Sequence, residues 1–229
     1  MSTAPPVEKF PALAALPGLA HGFTGRIAGL DVKADRETAL QRLDLFHTAA
    51  RADLGLAAHR FVTAEQVHGG EAAVVDEKTV VPVPGVDGLI TASPAVCLGI
   101  YVADCCAVYL ADPVRRVIAL LHSGRKGSEL GITAVAVEKM RAHFGCDPAD
   151  LIVQLSPCIR PPLYEVDFAA LIIAQARAAG VCHIADPGTC TGANVDRYYS
   201  YRIERAQTGR MLALLALPRR RRAGGAEER

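Results

Sequence analysis

The sequence predicts an α/β (α+β) layered sandwich with mixed sheets and flanking helices. Three segments repeat apolar residues at helical spacing, at residues 35–54, 132–144 and 168–179. Short apolar runs between them predict buried strands. Asp112-Pro113 supplies a turn between two of these runs, so residues 107–121 form a predicted hairpin and the sheet cannot be wholly parallel. The predicted strands cover residues 72–75, 88–91, 96–102, 107–111, 117–121, 151–155 and 211–217.

The ends of the predicted helices follow from capping residues. Asp35 is a candidate N-cap of the first helix, because its carboxylate can accept a hydrogen bond from a free backbone N–H group. Gly55, Gly145 and Gly180 follow the last apolar position of the three helices. Glycine is favoured there because it adopts the left-handed conformation that ends a helix.

The 229 residues are enough for one domain with a substantial core. We expect an N-terminal extension at residues 1–20, a single catalytic domain at residues 21–217 and a disordered Arg-rich tail at residues 218–229. Two prolines interrupt the apolar stretch at residues 11–20, which is too short to span a membrane. The seven cysteines lack a short-spaced disulfide pattern, so we expect reduced thiols and a cytoplasmic protein.

The charge balance points to a small molecule as the partner. The 25 Lys and Arg residues are matched by 24 Asp and Glu residues, so composition gives no electrostatic argument for binding nucleic acid or a membrane. The four consecutive arginines of the tail have no basic or aromatic continuation elsewhere, and we interpret them as a solvated segment.

Three separated fragments offer two imidazoles and one thiol. Cys105 and His122 each follow a predicted strand, and His68 precedes two glycines. Side chains at strand ends can converge from distant parts of a chain, and three His and Cys ligands leave one coordination position open, as in catalytic zinc sites. Other interpretations stay open, because no short-spaced motif identifies these residues as ligands. His68 could be an ordinary loop residue, and Cys105, which lies beside Cys106, could be a small buried apolar residue.

A series of short motifs gives the sequence a family resemblance. It resembles the YfiH/LACC1 family, also called the multicopper polyphenol oxidase (laccase) domain family, over nearly the whole chain. The motifs occur in the family's order at residues 21–26 (HGFTGR), 66–69 (QVHG), 86–91 (VDGLIT), 103–105 (ADC), 122–124 (HSG), 156–159 (SPCI), 164–166 (YEV), 190–191 (CT), 199–202 (YSYR) and 208–210 (TGR).

The resemblance implies a monomer with a CNF1/YfiH-like fold and a zinc-dependent purine nucleoside phosphorylase. It implies adenosine, inosine, guanosine and methylthioadenosine as nucleoside substrates beside phosphate, and adenosine deamination as a further activity. The family's metal ligands fall on His68, Cys105 and His122, which would make these three the catalytic centre. A metal there would lower the pKa of a bound water for deamination or polarise the base for phosphorolysis.

Three further residues are candidate substrate contacts. Arg26 could hold phosphate bidentately, or form a surface salt bridge. Asp104 could orient a ligand or transfer a proton, or cap the end of a strand. Arg125 stands where most family members have tryptophan, since residues 122–127 read HSGRKG in place of HAGWRG, and this chain has no Trp. Arg125 and Lys126 would suit a more anionic substrate, or be solvent-exposed replacements without consequence.

Three alternative functions remain from the sequence. Copper-dependent oxidation of phenols fits the laccase label, although three ligands are too few for several coppers. A metal-free cysteine hydrolase would use Cys105 as its nucleophile and His122 as its base. A non-catalytic paralogue would explain the altered loop at Arg125.

Overall fold

The computed structural model describes residues 5–217, which form two mixed β-sheets with helices on their outer faces. The first sheet has the strand order β1-β2-β11-β6-β3 and the second the order β10-β9-β7-β8-β5-β4. The strands are β1 Val7–Glu8, β2 Ala20–Thr24, β3 Arg60–Thr63, β4 Ala72–Val74, β5 Gly88–Thr91, β6 Val96–Val102, β7 Cys106–Asp112, β8 Val117–Ser123, β9 Ile152–Leu155, β10 His183–Ala185 and β11 Met211–Ala216.

In the described part of the chain, five α-helices connect or cover these strands, and a short 3₁₀ turn at Pro148–Asp150 precedes β9. No helix within residues 5–217 is both long enough and apolar enough to cross a membrane. The helices are α1 Pro11–Ala14, α2 Arg36–Asp53, α3 Arg125–Glu129, α4 Ile132–Phe144 and α5 Phe168–Ala178.

The main core lies between the two sheets. Along β8, Ile118 and Leu120 point into this core, while Ala119 and Leu121 contribute to a second apolar cluster on the other face. Successive side chains of a strand point to opposite faces, so a strand that is apolar throughout is covered on both sides. The continuous apolar runs of the sequence therefore belong to the centre of a layered structure.

Helices cover the outer face of each sheet. On the first sheet, α2 places His47 against Tyr101 and Arg51 over the ring of Phe61. On the second sheet, α4 and α5 bury Met140 and Ile172 against the strands, together with the rest of the second cluster. The order of layers is helix, sheet, sheet and helices, and the predicted fold class is confirmed.

The sequence predicts the longer elements well. The three helices match α2, α4 and α5, and Asp35 accepts a hydrogen bond from the backbone N–H of Thr38 over 3.0 Å, as expected of an N-cap. The predicted hairpin is the antiparallel pair β7 and β8. One prediction is wrong in detail: β8 continues to Ser123, so His122 lies inside the strand and not after it.

The predicted elements do not include the short elements β1, β2, β3, β10, α1 and α3. β1 has only two residues, and its pairing with β2 makes it a strand. The predicted start of the catalytic domain at residue 21 falls inside β2, and Phe10 and Leu13 of the expected extension are buried in the main core. Residues 1–4 of that extension and the predicted tail at residues 218–229 lie outside the described residues.

Candidate metal centre and substrate cleft

Three chain segments bring His68, Cys105 and His122 together. Two of them are crossings between the sheets: His68 lies between β3 and β4, and Cys105 lies between β6 and β7. His122 is the penultimate residue of β8, next to β7 in the second sheet. Because both crossings and the end of β8 lie at the same edge of the sandwich, residues far apart in sequence converge there.

The possible ligand atoms of these three residues all lie within 4.8 Å of one another. The two imidazole rings are nearly perpendicular, with centroids 4.8 Å apart. His122 is buried, Cys105 is partly buried and His68 is exposed, so the group opens to solvent on one side. Two imidazoles and a thiol converging with one open side can hold a divalent metal of the zinc type.

The backbone around this group adopts conformations that non-glycine residues rarely use. The φ angles are +64° at Gln66, +59° at His68 and +77° at Asp104. The Gln66 side chain bonds both backbone groups of Tyr101 on β6, at 2.6 Å and 3.0 Å, and so holds the first of these turns. Strained backbone that is fixed by its surroundings is concentrated at functional sites, which marks this region independently of the ligand chemistry.

Asp87, just before β5, supports two of the three candidate ligands. Its buried carboxylate accepts a hydrogen bond from Nδ1 of His122 over 2.7 Å. It also accepts the backbone N–H groups of Val67, His68 and Gly69 at 3.1, 3.0 and 2.7 Å. The bond to Nδ1 leaves Nε2 of His122 as the nitrogen available to a metal, the usual role of a carboxylate behind a ligating histidine.

Charges within the group shift its pKa values strongly. Burial raises the pKa of the Cys105 thiol, but charges and hydrogen bonds from His122 and His68 outweigh burial and lower the pKa to about 6. Burial lowers the pKa of His122, but Cys105 and Asp87 outweigh it and raise the pKa to about 9. Without metal, therefore, Cys105 is a thiolate at neutral pH and His122 is an imidazolium. A thiolate is the form of cysteine that binds metal.

Gly124 leaves room for the thiol. A Cβ atom at this position would lie 2.4 Å from Sγ of Cys105, far inside van der Waals contact. Any side chain at position 124 would therefore displace the sulfur or the start of α3. The glycine of the HSG motif is explained by this close approach.

The three residues line a cleft of about 1160 Å³, larger than most small-molecule sites. Ile159, Tyr164, Phe168 and Tyr201 give it apolar and aromatic walls, although the chain lacks tryptophan. Six of the lining residues are Arg or Lys, against the two carboxylates of Asp104 and Glu129. The cleft thus combines flat apolar surfaces with a positive charge, which suits an aromatic molecule and an anion.

Among the predicted substrate contacts, Asp104 and Arg125 line the cleft and Arg26 is not among its lining residues. The Arg26 guanidinium bonds Glu204 at 2.6 Å and the carbonyl of Tyr198, and it stacks on Tyr199 at 4.5 Å. The alternative interpretation of Arg26 as a salt-bridge residue fits these contacts. Arg125 is exposed and pairs with Glu129 at 2.9 Å.

Asp104 is fixed by hydrogen bonds to neighbouring parts of the chain. Its carboxylate accepts hydrogen bonds from Thr191 Oγ1 at 2.7 Å, Ser200 Oγ at 3.0 Å and the backbone N–H of Arg202 at 2.7 Å. These bonds hold the segment that carries Tyr201 and Arg202 beside the cleft. The carboxylate behind a candidate metal ligand is Asp87, which lies in one of the family motifs but has no role predicted from the sequence. In the sequence, Asp87 stands out only as an acidic residue directly before the apolar segment that forms β5.

Comparisons with known proteins agree with this architecture. The sequence model of the family described as multi-copper polyphenol oxidoreductase laccase matches residues 23–170 and 166–218. The crystal structure of YlmD from Geobacillus stearothermophilus superimposes with a TM-score of 0.80 at 26% identity, covering 92% of this chain and 94% of that one.

Two curated relatives are named purine nucleoside phosphorylase. The protein from Streptomyces coelicolor is 35% identical over 71% of this chain and 77% of its own length. The protein from Deinococcus radiodurans is 34% identical over 87% of this chain and 90% of its own length.

Proposed function

Because this chain belongs to the multi-copper polyphenol oxidoreductase laccase family, we propose that it is a zinc-dependent purine nucleoside phosphorylase. The observation that carries the proposal is the convergence of His68, Cys105 and His122 within 4.8 Å at the wall of a large aromatic cleft. The names of the relatives from S. coelicolor and D. radiodurans support phosphorolysis as the reaction.

The three donors fit zinc by their chemistry. A thiolate and two neutral imidazoles form a common zinc ligand set, and three protein ligands leave one position open. A zinc ion bound there would act as a Lewis acid toward the purine or toward a water molecule. Within residues 5–217 this is the one cluster of His, Cys, Asp and Glu with the spacing of a metal site, which supports a single ion over several coppers.

The chain's own residues supply orientation and surface. Asp87 fixes the His122 tautomer, and the rings of Tyr164 and Tyr201 line the cleft and provide faces on which a purine can stack. In phosphorolysis, an oxygen of phosphate bonds to C1′ of the ribose while the bond from C1′ to N9 breaks. The electron pair leaves with N9, which takes up a proton, and the products are the free base and ribose 1-phosphate.

We extend the proposal to adenosine, inosine, guanosine and methylthioadenosine as substrates, and to deamination of adenosine at the same site. The stacking surfaces are non-specific for the purine, because every purine presents the same flat face. A broad range of nucleosides is therefore expected, with the substituents at C6 and C5′ deciding the rates.

One observation favours a second candidate, a metal-free cysteine hydrolase. Cys105, His122 and Asp87 form a chain of thiolate, imidazolium and carboxylate, the arrangement that activates a nucleophilic cysteine. His68 has no part in such a triad, whereas the zinc proposal uses all three converging side chains. The third ligand therefore supports the metal enzyme over the hydrolase.

The test combines elemental analysis with a nucleoside panel, with and without phosphate. We expect about one zinc per chain and release of free base that depends on phosphate. His68→Ala should lose both zinc and turnover, because it removes one of three ligands. His143→Ala is the matched control, since His143 is an exposed histidine on α4, outside the cleft lining. Protein that lacks zinc, or that forms no base in phosphate, would refute the proposal.

A further inference from the structure

The positive charge of the cleft is unevenly neutralised. Arg125 pairs with Glu129, and Glu165 lies between Arg125 and Arg202 and forms an ion pair with each. By contrast, the other four cations of the lining, Arg36, Lys126, Arg205 and Arg210, form no ion pair with a carboxylate among residues 5–217. Of these four, Arg36 and Arg210 act on each other electrostatically. These two guanidinium groups are therefore available to a ligand in a way that Arg125 and Arg202 are not.

Arg210 is the cation best held in place. Of the six Arg and Lys residues that line the cleft it is the only one that is partly buried, the other five being exposed. Its Nη1 donates hydrogen bonds to the carbonyls of Thr208 and Gly209 at 2.8 and 2.9 Å, which fixes the guanidinium. His47 of α2 hydrogen-bonds to the backbone of Arg210, and the guanidinium lies 5.8 Å from the ring centroid of Tyr201.

The charge of Arg210 is unfavourable in the free protein. Burial lowers the pKa of Arg210, and the positive charge of Arg36 lowers it further, against the smaller opposing effects of Tyr201, Cys105 and Asp104. The Asp104 carboxylate is already engaged by Thr191, Ser200 and the backbone of Arg202. Two neighbouring cations without a carboxylate partner repel each other, and an anion bound between them would offset this repulsion.

The charge of Arg36 is also unfavourably placed. It is the first residue of the 18-residue helix α2, where the positive end of the helix dipole disfavours a cation. Residues that break a local rule without a structural compensation are concentrated at functional sites. Arg36 lines the cleft, so an anion bound there would compensate both its position and its repulsion with Arg210.

We propose that Arg210 and Arg36 bind the phosphate co-substrate, an inference that rests on the proposed phosphorolysis. Guanidinium groups match phosphate geometry and bind it through paired charge-assisted hydrogen bonds. Arg36, Arg210 and the cluster of His68, Cys105 and His122 line the same cleft, where a phosphate held by the two arginines can reach a bound nucleoside. The pair takes the role of phosphate contact that the sequence suggested for Arg26.

The test measures steady-state kinetics of the zinc-loaded protein with inosine and phosphate varied independently. Arg36→Gln and Arg210→Lys should each raise the KM for phosphate about tenfold or more, since each loses charge-assisted hydrogen bonds to the anion. The KM for inosine and the zinc content should stay within about twofold of the wild type. Arg42→Gln is the matched control, because Arg42 lies on α2 outside the cleft lining and pairs with Asp31.

Calorimetric titration of the same proteins with inorganic phosphate separates this inference from the proposed function. Phosphorolysis with an unchanged KM for phosphate in both variants would overturn the anion site and leave the function standing. A wild-type protein without phosphorolysis, but with phosphate binding that both variants weaken, would overturn the function and support the site. An equal rise in the KM values for inosine and phosphate would also overturn the site, because it indicates a general disturbance of the cleft.

Discussion

Asp87 and His122 are joined by two hydrogen bonds of 2.7 Å. The Asp87 carboxylate accepts Nδ1–H of the imidazole, and the Asp87 carbonyl accepts the backbone N–H of His122. The same carboxylate holds the backbone of the turn that carries His68. One buried carboxylate therefore positions both histidines. Removing it should weaken metal binding more than the loss of one hydrogen bond would.

Asp87→Asn should weaken zinc binding by about 10- to 100-fold, the usual effect of losing the carboxylate behind a ligating histidine. Each carboxylate oxygen accepts two of the four hydrogen bonds, so the amide, which has one acceptor oxygen in place of two, loses at least two of them. The measurement is competition for zinc against a chromophoric chelator. Asp112→Asn is the control, because Asp112 is equally buried but accepts backbone N–H groups of Val114 and Arg115 instead. Equal zinc affinities in both variants would contradict the role of Asp87.

The thiol of Cys105 should react as a thiolate when the metal is removed. Its pKa of about 6 predicts that alkylation of metal-free protein by iodoacetamide rises with pH through a midpoint near pH 6, well below the range of an ordinary cysteine. Peptide mapping by mass spectrometry distinguishes Cys105 from the exposed Cys182. Zinc should suppress the reaction at Cys105 and leave Cys182 unaffected. Alkylation of Cys105 that zinc does not slow would favour the cysteine hydrolase instead.

Gly124→Ala should reduce the zinc content while the protein stays folded. The added Cβ would lie 2.4 Å from Sγ of Cys105, so the sulfur must move from its position between the two imidazoles. Elemental analysis gives the metal content, and circular dichroism shows whether the sheets are retained. A variant with the full zinc content would mean that the metal site tolerates the displaced sulfur. The glycine at position 124 would then need another explanation.

The sequence predicts the parts of this fold that depend on local pattern. Helix α4 and the hairpin of β7 and β8 follow from periodicity, capping and a turn dipeptide. β2 is not predicted because it is defined by pairing with β11, whose partner residues are 190 to 196 positions away in the sequence. Its residues Ala20–Thr24 also include two polar side chains and a glycine. Such pairing is a tertiary property that a local pattern does not contain.

The candidate site also has features that the sequence predicts and features that only the folded structure reveals. Ligand chemistry and family motifs identify His68, Cys105 and His122 from the sequence, but their convergence requires two crossings between sheets. The difference between Arg26 and Arg210 is invisible in the sequence, because both are arginines in family motifs. Glu204, which lies far from Arg26 in the sequence, pairs with it, whereas Arg210 has no such partner among the described residues. Charge pairing decided at long range therefore sets which arginine can bind an anion.

Acid should destabilise the protein through His47. Burial lowers the pKa of His47 to about 4, against about 6.5 in an unfolded chain. A histidine whose folded pKa is depressed stabilises the fold above the unfolded pKa, and this contribution is lost as the pH falls from about 6.5 to about 4. Urea unfolding at pH 7 and pH 4.5 should show that His47→Gln loses about 2–3 kcal/mol less stability than the wild type over this interval. An equal loss in the two proteins would mean that folding does not depress the pKa of His47.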